Sequence, residues 1–162
     1  MLTILRNNRG LTLIELVVTA IILSLLASLV VPSARLTIKR TKEIELRRNL
    51  REVRDALDAY KKYRDQAVLE KKITSSPDES GYPKTLQLLV DGDDFGGLLP
   101  KKKFLRRIPR DPFYPVKGDE IPWRMRSYSD DPDSRIWGGQ DVFDVSSQSE
   151  ETAIDGTKYK DW

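Results

Sequence analysis

Apolar and polar positions fall into three regimes along the chain. From Leu11 to Val31 the only charged residue is Glu15, and most of the others are Leu, Ile or Val. A run of this kind has no polar face. As a helix rising about 1.5 Å per residue it would span roughly 31 Å, close to the thickness of a bilayer core. Further on, the apolar residues become periodic. Leu46, Leu50, Val53, Leu57 and Tyr60 recur every three or four positions, with Arg47, Arg48, Arg51, Arg54, Asp55 and Asp58 elsewhere around the turn. That pattern is one apolar stripe on a helix. Residues 33–76 contain no Gly or Pro. One helix from about Leu11 to Val68 is therefore predicted, with Pro32 removing a backbone hydrogen bond inside it. The stripe needs a cover. A coiled-coil partner would want more than the roughly two good heptads present, so the remainder of the chain is the expected cover.

In the third regime the elements are short and broken by turn residues. Residues 74–81 read as a linker. Residues 82–90 suggest a short helix that Asp91–Gly97 breaks, and Pro109, Pro112 and Pro115 impose extended or turning backbone. Trp123–Ser129 and Asp141–Ser147 read as strands, separated by strong turn signals at residues 130–134 and at Gly138-Gly139. The expected fold is α+β: a long N-terminal helix carrying a small antiparallel sheet, with this hairpin inside a three-stranded arrangement. Trp123, Trp137, Phe143 and Trp162 are the candidates for its packing surface.

Composition removes several chemistries. Among 162 residues there is no His and no Cys. This excludes a Ser-His-Asp triad, a cysteine nucleophile, an imidazole or thiolate zinc site and any disulfide. A metal would need oxygen ligands, which favours calcium or magnesium. No glycine-rich phosphate loop followed by Lys-Ser/Thr is present. The net charge of +3 conceals a gradient: residues 35–72 carry 13 Lys/Arg against 7 Asp/Glu, and residues 73–162 are net acidic. The basic stretch reads as a solvated helix face near a membrane rather than a nucleic-acid surface.

Around the apolar run, Arg6 and Arg9 with no acid beside them favour a cytoplasmic N-terminus, although Arg35, Lys39, Arg40 and Lys42 beyond the run pull the other way. A secretory signal has a shorter apolar region. Ala27-Ser28 imitates a cleavage site, but Leu29-Val30-Val31 continue the run past it. A plain signal anchor leaves Glu15 unexplained. An acid inside a span costs on the order of 3 kcal/mol on insertion scales, so it is a functional candidate that needs a partner.

The stretch Gly10-Leu11-Thr12-Leu13-Ile14-Glu15-Leu16 resembles the class III signal of type IV pilins and type II secretion pseudopilins. The resemblance implies cleavage by prepilin peptidase between Gly10 and Leu11, N-methylation of Leu11, and an assembly role for Glu15. Pro32 matches a proline common in the family, whereas Leu11 stands where phenylalanine is usual. In a helical fibre the Glu15 carboxylate could neutralise the new Leu11 amine of a neighbouring subunit, since each charge is costly alone in an apolar setting and attractive when paired.

The second half is similar to the major, G-type pseudopilins of type II secretion. Tyr82-Pro83 with Leu86, Leu89 and Val90, the turn Arg107-Ile108-Pro109-Arg110-Asp111-Pro112-Phe113, and the end from Asp155-Gly156 to Asp161-Trp162 carry that likeness. The family's glycine-asparagine-proline is replaced by Tyr114-Pro115, and its glycine-rich loop by residues 146–152. The resemblance implies a type IV pilin-like fold divided into a leader (1–10), a transmembrane and assembly helix (11–32), its amphipathic periplasmic continuation (33–75) and a globular pseudopilin domain (76–162). It implies a calcium ion held in the C-terminal loop, for which Ser147, Glu150 and Asp155 are the candidate ligands, whereas Asp130, Asp131 and Asp133 read as a plain turn rather than a second site. It implies a single-pass protein of the bacterial inner membrane with its C-terminal domain in the periplasm. There it would act as a non-enzymatic subunit of the pseudopilus that helps drive protein export. Its partners would be copies of itself, other pseudopilins, prepilin peptidase, the inner-membrane secretion platform and membrane lipid, with no nucleic acid. A type IV or minor pilin, serving adhesion, motility or DNA uptake, and a membrane-anchored periplasmic binding domain are the alternatives.

Overall fold

The structure, a computed structural model, describes residues 10–76, 78–116, 118, 120–134 and 136–162, and for residues 29–33 the backbone alone. The leader, except for Gly10, lies outside the described residues, as does the side chain of Pro32. The elements are α1 (Leu13–Leu69), α2 (Gln87–Asp91), β1 (Trp123–Arg126), β2 (Asp144–Ser147) and a 3-10 turn (Tyr159–Asp161). The chain divides into two compact units, Met1–Arg40 and Thr41–Trp162.

In the second unit α1 lays the predicted stripe on a core. Leu46, Leu50, Val53, Leu57 and Tyr60 are all buried, and they cluster with Leu86, Leu89, Leu105, Trp123, Val142, Val145, Ala153 and Tyr159. The three-to-four spacing is thus explained by contact with the rest of the chain, and the fold is α+β as expected. The helix ends without a glycine. Lys71 adopts φ 55°, its N–H reaching the Val68 carbonyl, and the Lys72 N–H reaches the Ala67 carbonyl. This is the paired bonding of a Schellman stop, with lysine at the left-handed position that glycine usually fills.

The sheet is smaller than predicted. Among the described residues it has two strands rather than three, antiparallel, with Trp123 opposite Ser147 and Arg126 opposite Asp144. The strands are also shorter than their sequence signals, because carboxylates take over the connection. Asp130 Oδ2 accepts the N–H groups of Ser127 and Gly138, and Asp141 Oδ1 accepts that of Tyr128. Backbone that the pattern assigns to strand is thereby spent on loop closure. Trp123 lies in the core, and Trp137 and Trp162 pack against it. Phe143 instead meets Tyr82 and Tyr128 edge-on, at 5.1 and 5.4 Å. The short helix is trimmed to Gln87–Asp91. The Arg107–Phe113 turn is tied across the fold. Trp123 Nε1 donates to the Pro109 carbonyl, and buried Asp111 accepts from the Phe113 N–H and the Ser147 hydroxyl.

Candidate functional site

The N-terminal segment is built the other way round from the rest of the chain. Thr12 opens α1: its Oγ1 accepts the Glu15 N–H at 3.3 Å, satisfying one of the four N–H groups that a helix start leaves unpaired. Thr12 and Glu15 therefore stand at the two ends of a Thr-x-x-Glu capping pattern. Thr12 is a residue that hydrophobic periodicity does not single out, yet that four-residue spacing marks it. Glu15 lies in the first helical turn, where the positive end of the helix dipole favours a carboxylate. Gly10 and Leu11, on either side of the expected cut, are exposed ahead of the helix.

Beyond the cap the helix is apolar on every side. Leu13, Ile14, Leu16, Val17, Val18, Ile21, Ile22, Leu23, Leu25 and Leu26 are all exposed, Leu13 by 83% and even Val17 by 42%. At 100° per residue these positions leave no polar stripe. A helix that is hydrophobic all round is one that something else buries. The hydroxyls agree with such a fate. Thr19, Ser24 and Ser28 each turn back to donate to a carbonyl of their own helix, at 2.9, 2.8 and 2.7 Å. They ask nothing of a surrounding apolar medium. No hydrogen bond or ion pair joins the Glu15 carboxylate to another described residue. Among the described residues no helix is long and apolar enough to cross a membrane. The part of this apolar helix with described side chains runs from Leu13 to Ser28, about 24 Å against a bilayer core of about 30 Å.

The calcium candidates sit in three different settings. Ser147 is fully buried, donates to Asp111 Oδ2 at 2.5 Å and accepts the Ser149 N–H. Glu150 is paired with the Lys160 ammonium at 2.7 Å. Asp155 accepts from the hydroxyl and N–H of Thr157 and from Arg47. The Thr157 bonds first, and then the Arg47 guanidinium, hold its carboxyl below the usual carboxylate range. A cation already stands against each of the two carboxylates, and among the described residues no buried side-chain oxygen lacks a partner. This donor set does not fit an ion that asks for six to eight oxygens. Among the described residues Asp130, Asp131 and Asp133 form no acidic metal-binding group either.

Some clefts of the globular unit hold braces. In one of about 700 Å³ the Tyr60 hydroxyl donates to Asp93 Oδ2 at 2.5 Å and Arg64 pairs with Glu79. Burial, then the Asp93 bond, pushes the Tyr60 hydroxyl far above its ordinary pKa, so it is a permanent donor.

One family model, described as the prokaryotic N-terminal methylation motif, matches residues 5–31. The chain thus carries a prepilin-type signal that takes in the described helix start, and the match supports a type IV pilin-like family of structural subunits processed by prepilin peptidase. Neither a curated protein nor a solved structure matches the chain.

Proposed function

We propose that the chain is the precursor of a pseudopilus subunit of type II protein secretion. Prepilin peptidase removes residues 1–10, and Leu11 becomes the methylated N-terminus. The segment Leu11–Val31 holds the subunit in the inner membrane, with residues 76–162 in the periplasm. It then passes into the axis of a helical fibre made of further copies and related pseudopilins above the inner-membrane secretion platform. The protein works by assembling rather than by catalysing a reaction.

The observation that carries this reading is the helix start: an all-round apolar surface with one carboxylate, Glu15, in its first turn and no described counter-ion. Cleavage after Gly10 creates an amine at Leu11. Two such charges are each expensive in an apolar interior and stabilise one another when a neighbour brings them together. A fibre answers both demands of the segment at once, burying the apolar surface and pairing the carboxylate. The likeness of the second half to G-type subunits favours export over a surface pilus.

Intact mass of the protein taken from its own host's envelope tests the processing. Loss of residues 1–10 with one added methyl group on Leu11 is expected, and a chain beginning at Met1 or cut after Ala27 would defeat the reading. Deletion of the gene separates the two fibre roles. Loss of exported proteins with surface pili intact is expected, and loss of pili with export intact would assign a type IV pilin instead.

A further inference from the structure

Residues 150–162 are fastened to α1 by side chains spaced along one face of that helix. Glu43 Oε1 accepts both the Ile154 N–H at 2.7 Å and the Tyr159 hydroxyl at 2.9 Å. One turn on, Arg47 pairs with Asp155 at 3.2 Å and lays its guanidinium 4.1 Å from the centre of the Trp162 ring. Two turns beyond that, Arg54 bonds the Asp144 carboxylate and donates to the backbone oxygens of Val145 and Trp162. From β1, Arg124 donates to the Lys160 carbonyl at 2.6 Å.

Within the segment the same logic repeats. Lys160, whose side chain is only 9% exposed, neutralises Glu150. Trp162 Nε1 donates to Thr157 Oγ1, and Thr157 in turn donates to Asp155. Tyr159 is fully buried beneath, stacked 4.0 Å from Phe113. A metal ion stabilises a loop of this kind by drawing carboxylates and carbonyls together around one positive charge. Here that work is divided among cations that the chain supplies.

We propose that this C-terminal loop is a metal-free clasp, closed by Arg47 on Asp155 and Lys160 on Glu150, so that it folds with no calcium. The proposal concerns the globular unit and stands whether or not the N-terminal segment builds a fibre.

Amide hydrogen exchange on the full chain in detergent micelles tests it, read at Ala153, Ile154, Thr157 and Tyr159. The protein is compared in chelator and in about 5 mM calcium chloride, above the 10⁻⁴ to 10⁻³ M range of extracellular calcium modules. Equal protection in the two media is expected. Protection that rises about tenfold or more with calcium overturns the clasp. In the second arm Arg47→Gln lowers protection at these amides by about three- to tenfold, the size expected of an exposed pair and a cation–π contact together. Arg51→Gln, one turn along the helix, leaves it unchanged. If Arg47→Gln folds and exchanges like the unmodified chain, the clasp is refuted. If it does not fold, the calcium comparison on the unmodified chain decides alone.

Discussion

Glu15 has a place in the helix cap, through its N–H, and a proposed place in assembly, and the start of α1 supplies the means to separate them. As the fourth residue of Thr12-x-x-Glu15 it belongs to a helix cap, and as the lone carboxylate of an apolar segment it is a candidate for pairing with the Leu11 amine of a neighbour. Glu15→Gln keeps a side chain that serves in a capping box but removes the charge. Thr12→Ala removes the hydroxyl that accepts the Glu15 N–H and leaves the charge. The cap is worth about 1 kcal/mol. Leaving one member of a buried ion pair without its partner costs about 3–5 kcal/mol, which at about 1.4 kcal/mol per decade is a hundredfold or more in the assembly constant. The expected order is therefore sharp. Thr12→Ala assembles within about tenfold of the unmodified protein, whereas Glu15→Gln and Glu15→Leu fail alike. The assay is the yield of sheared or cross-linked fibre from cells expressing each variant at equal level, with N-terminal processing checked by mass. Fibre from Glu15→Gln at the unmodified level would refute the pairing argument.

The globular unit offers sharper local tests. Lys71 holds φ 55° at the end of α1, so Lys71→Gly relieves a left-handed conformation and should raise the unfolding free energy by about 0.5–1 kcal/mol in urea melts. Gly92 sits at φ 86°, and a Cβ there would lie 2.9 Å from the Lys102 carbonyl oxygen. Gly92→Ala should therefore destabilise by about 1–3 kcal/mol in the same melts, with loss of the Asp93–Lys102 bridge visible by NMR. Backbone N–H bonds from Gly138 and then Ser127 lower the Asp130 carboxyl below its ordinary value of 3.8. Its contribution to stability is present above that value and is lost as pH falls through the depressed one. The Ser127 and Gly138 amide signals should titrate together below the ordinary Asp range, and Asp130→Asn should abolish that transition.

The legible part of the fold is the part whose partners lie inside the chain. The stripe from Leu46 to Tyr60 could be read because burial on one side only imposes a period, and Trp123 and Val145 opposite it follow the strand period of two. Of the strand ends, Trp123 and Ser147 fall where expected, but the two that flank the turn were not legible. Whether backbone at residues 127–129 pairs with a strand or closes a loop depends on Asp130 and Asp141, whose side chains act across 3 to 13 residues. The helix end falls within one residue of its expected place, Leu69 against Val68, although Lys71 occupies the position where glycine would have announced the stop. Tyr159 stands in an acidic, polar tail, and nothing in its neighbours' pattern foretells complete burial under Glu43 and Phe113.

The N-terminal segment reverses that relation. Its residues have no period because no side of the helix differs from another, and within the described residues none of its large apolar side chains is buried. Its hydroxyls are satisfied internally, its cap is satisfied by Thr12, and one carboxylate is left over. Such a segment is complete in its backbone and incomplete in its surface and charge. The missing terms are an apolar surround and one positive group within reach of the first helical turn. A bilayer supplies the first alone. In the proposed fibre a neighbouring processed subunit would supply both, its own apolar helix as the surround and its freed Leu11 amine as the cation. On the proposed reading, the same sequence that makes a lone subunit costly in lipid would make a stack of them stable, and this asymmetry would drive subunits out of the membrane into a fibre.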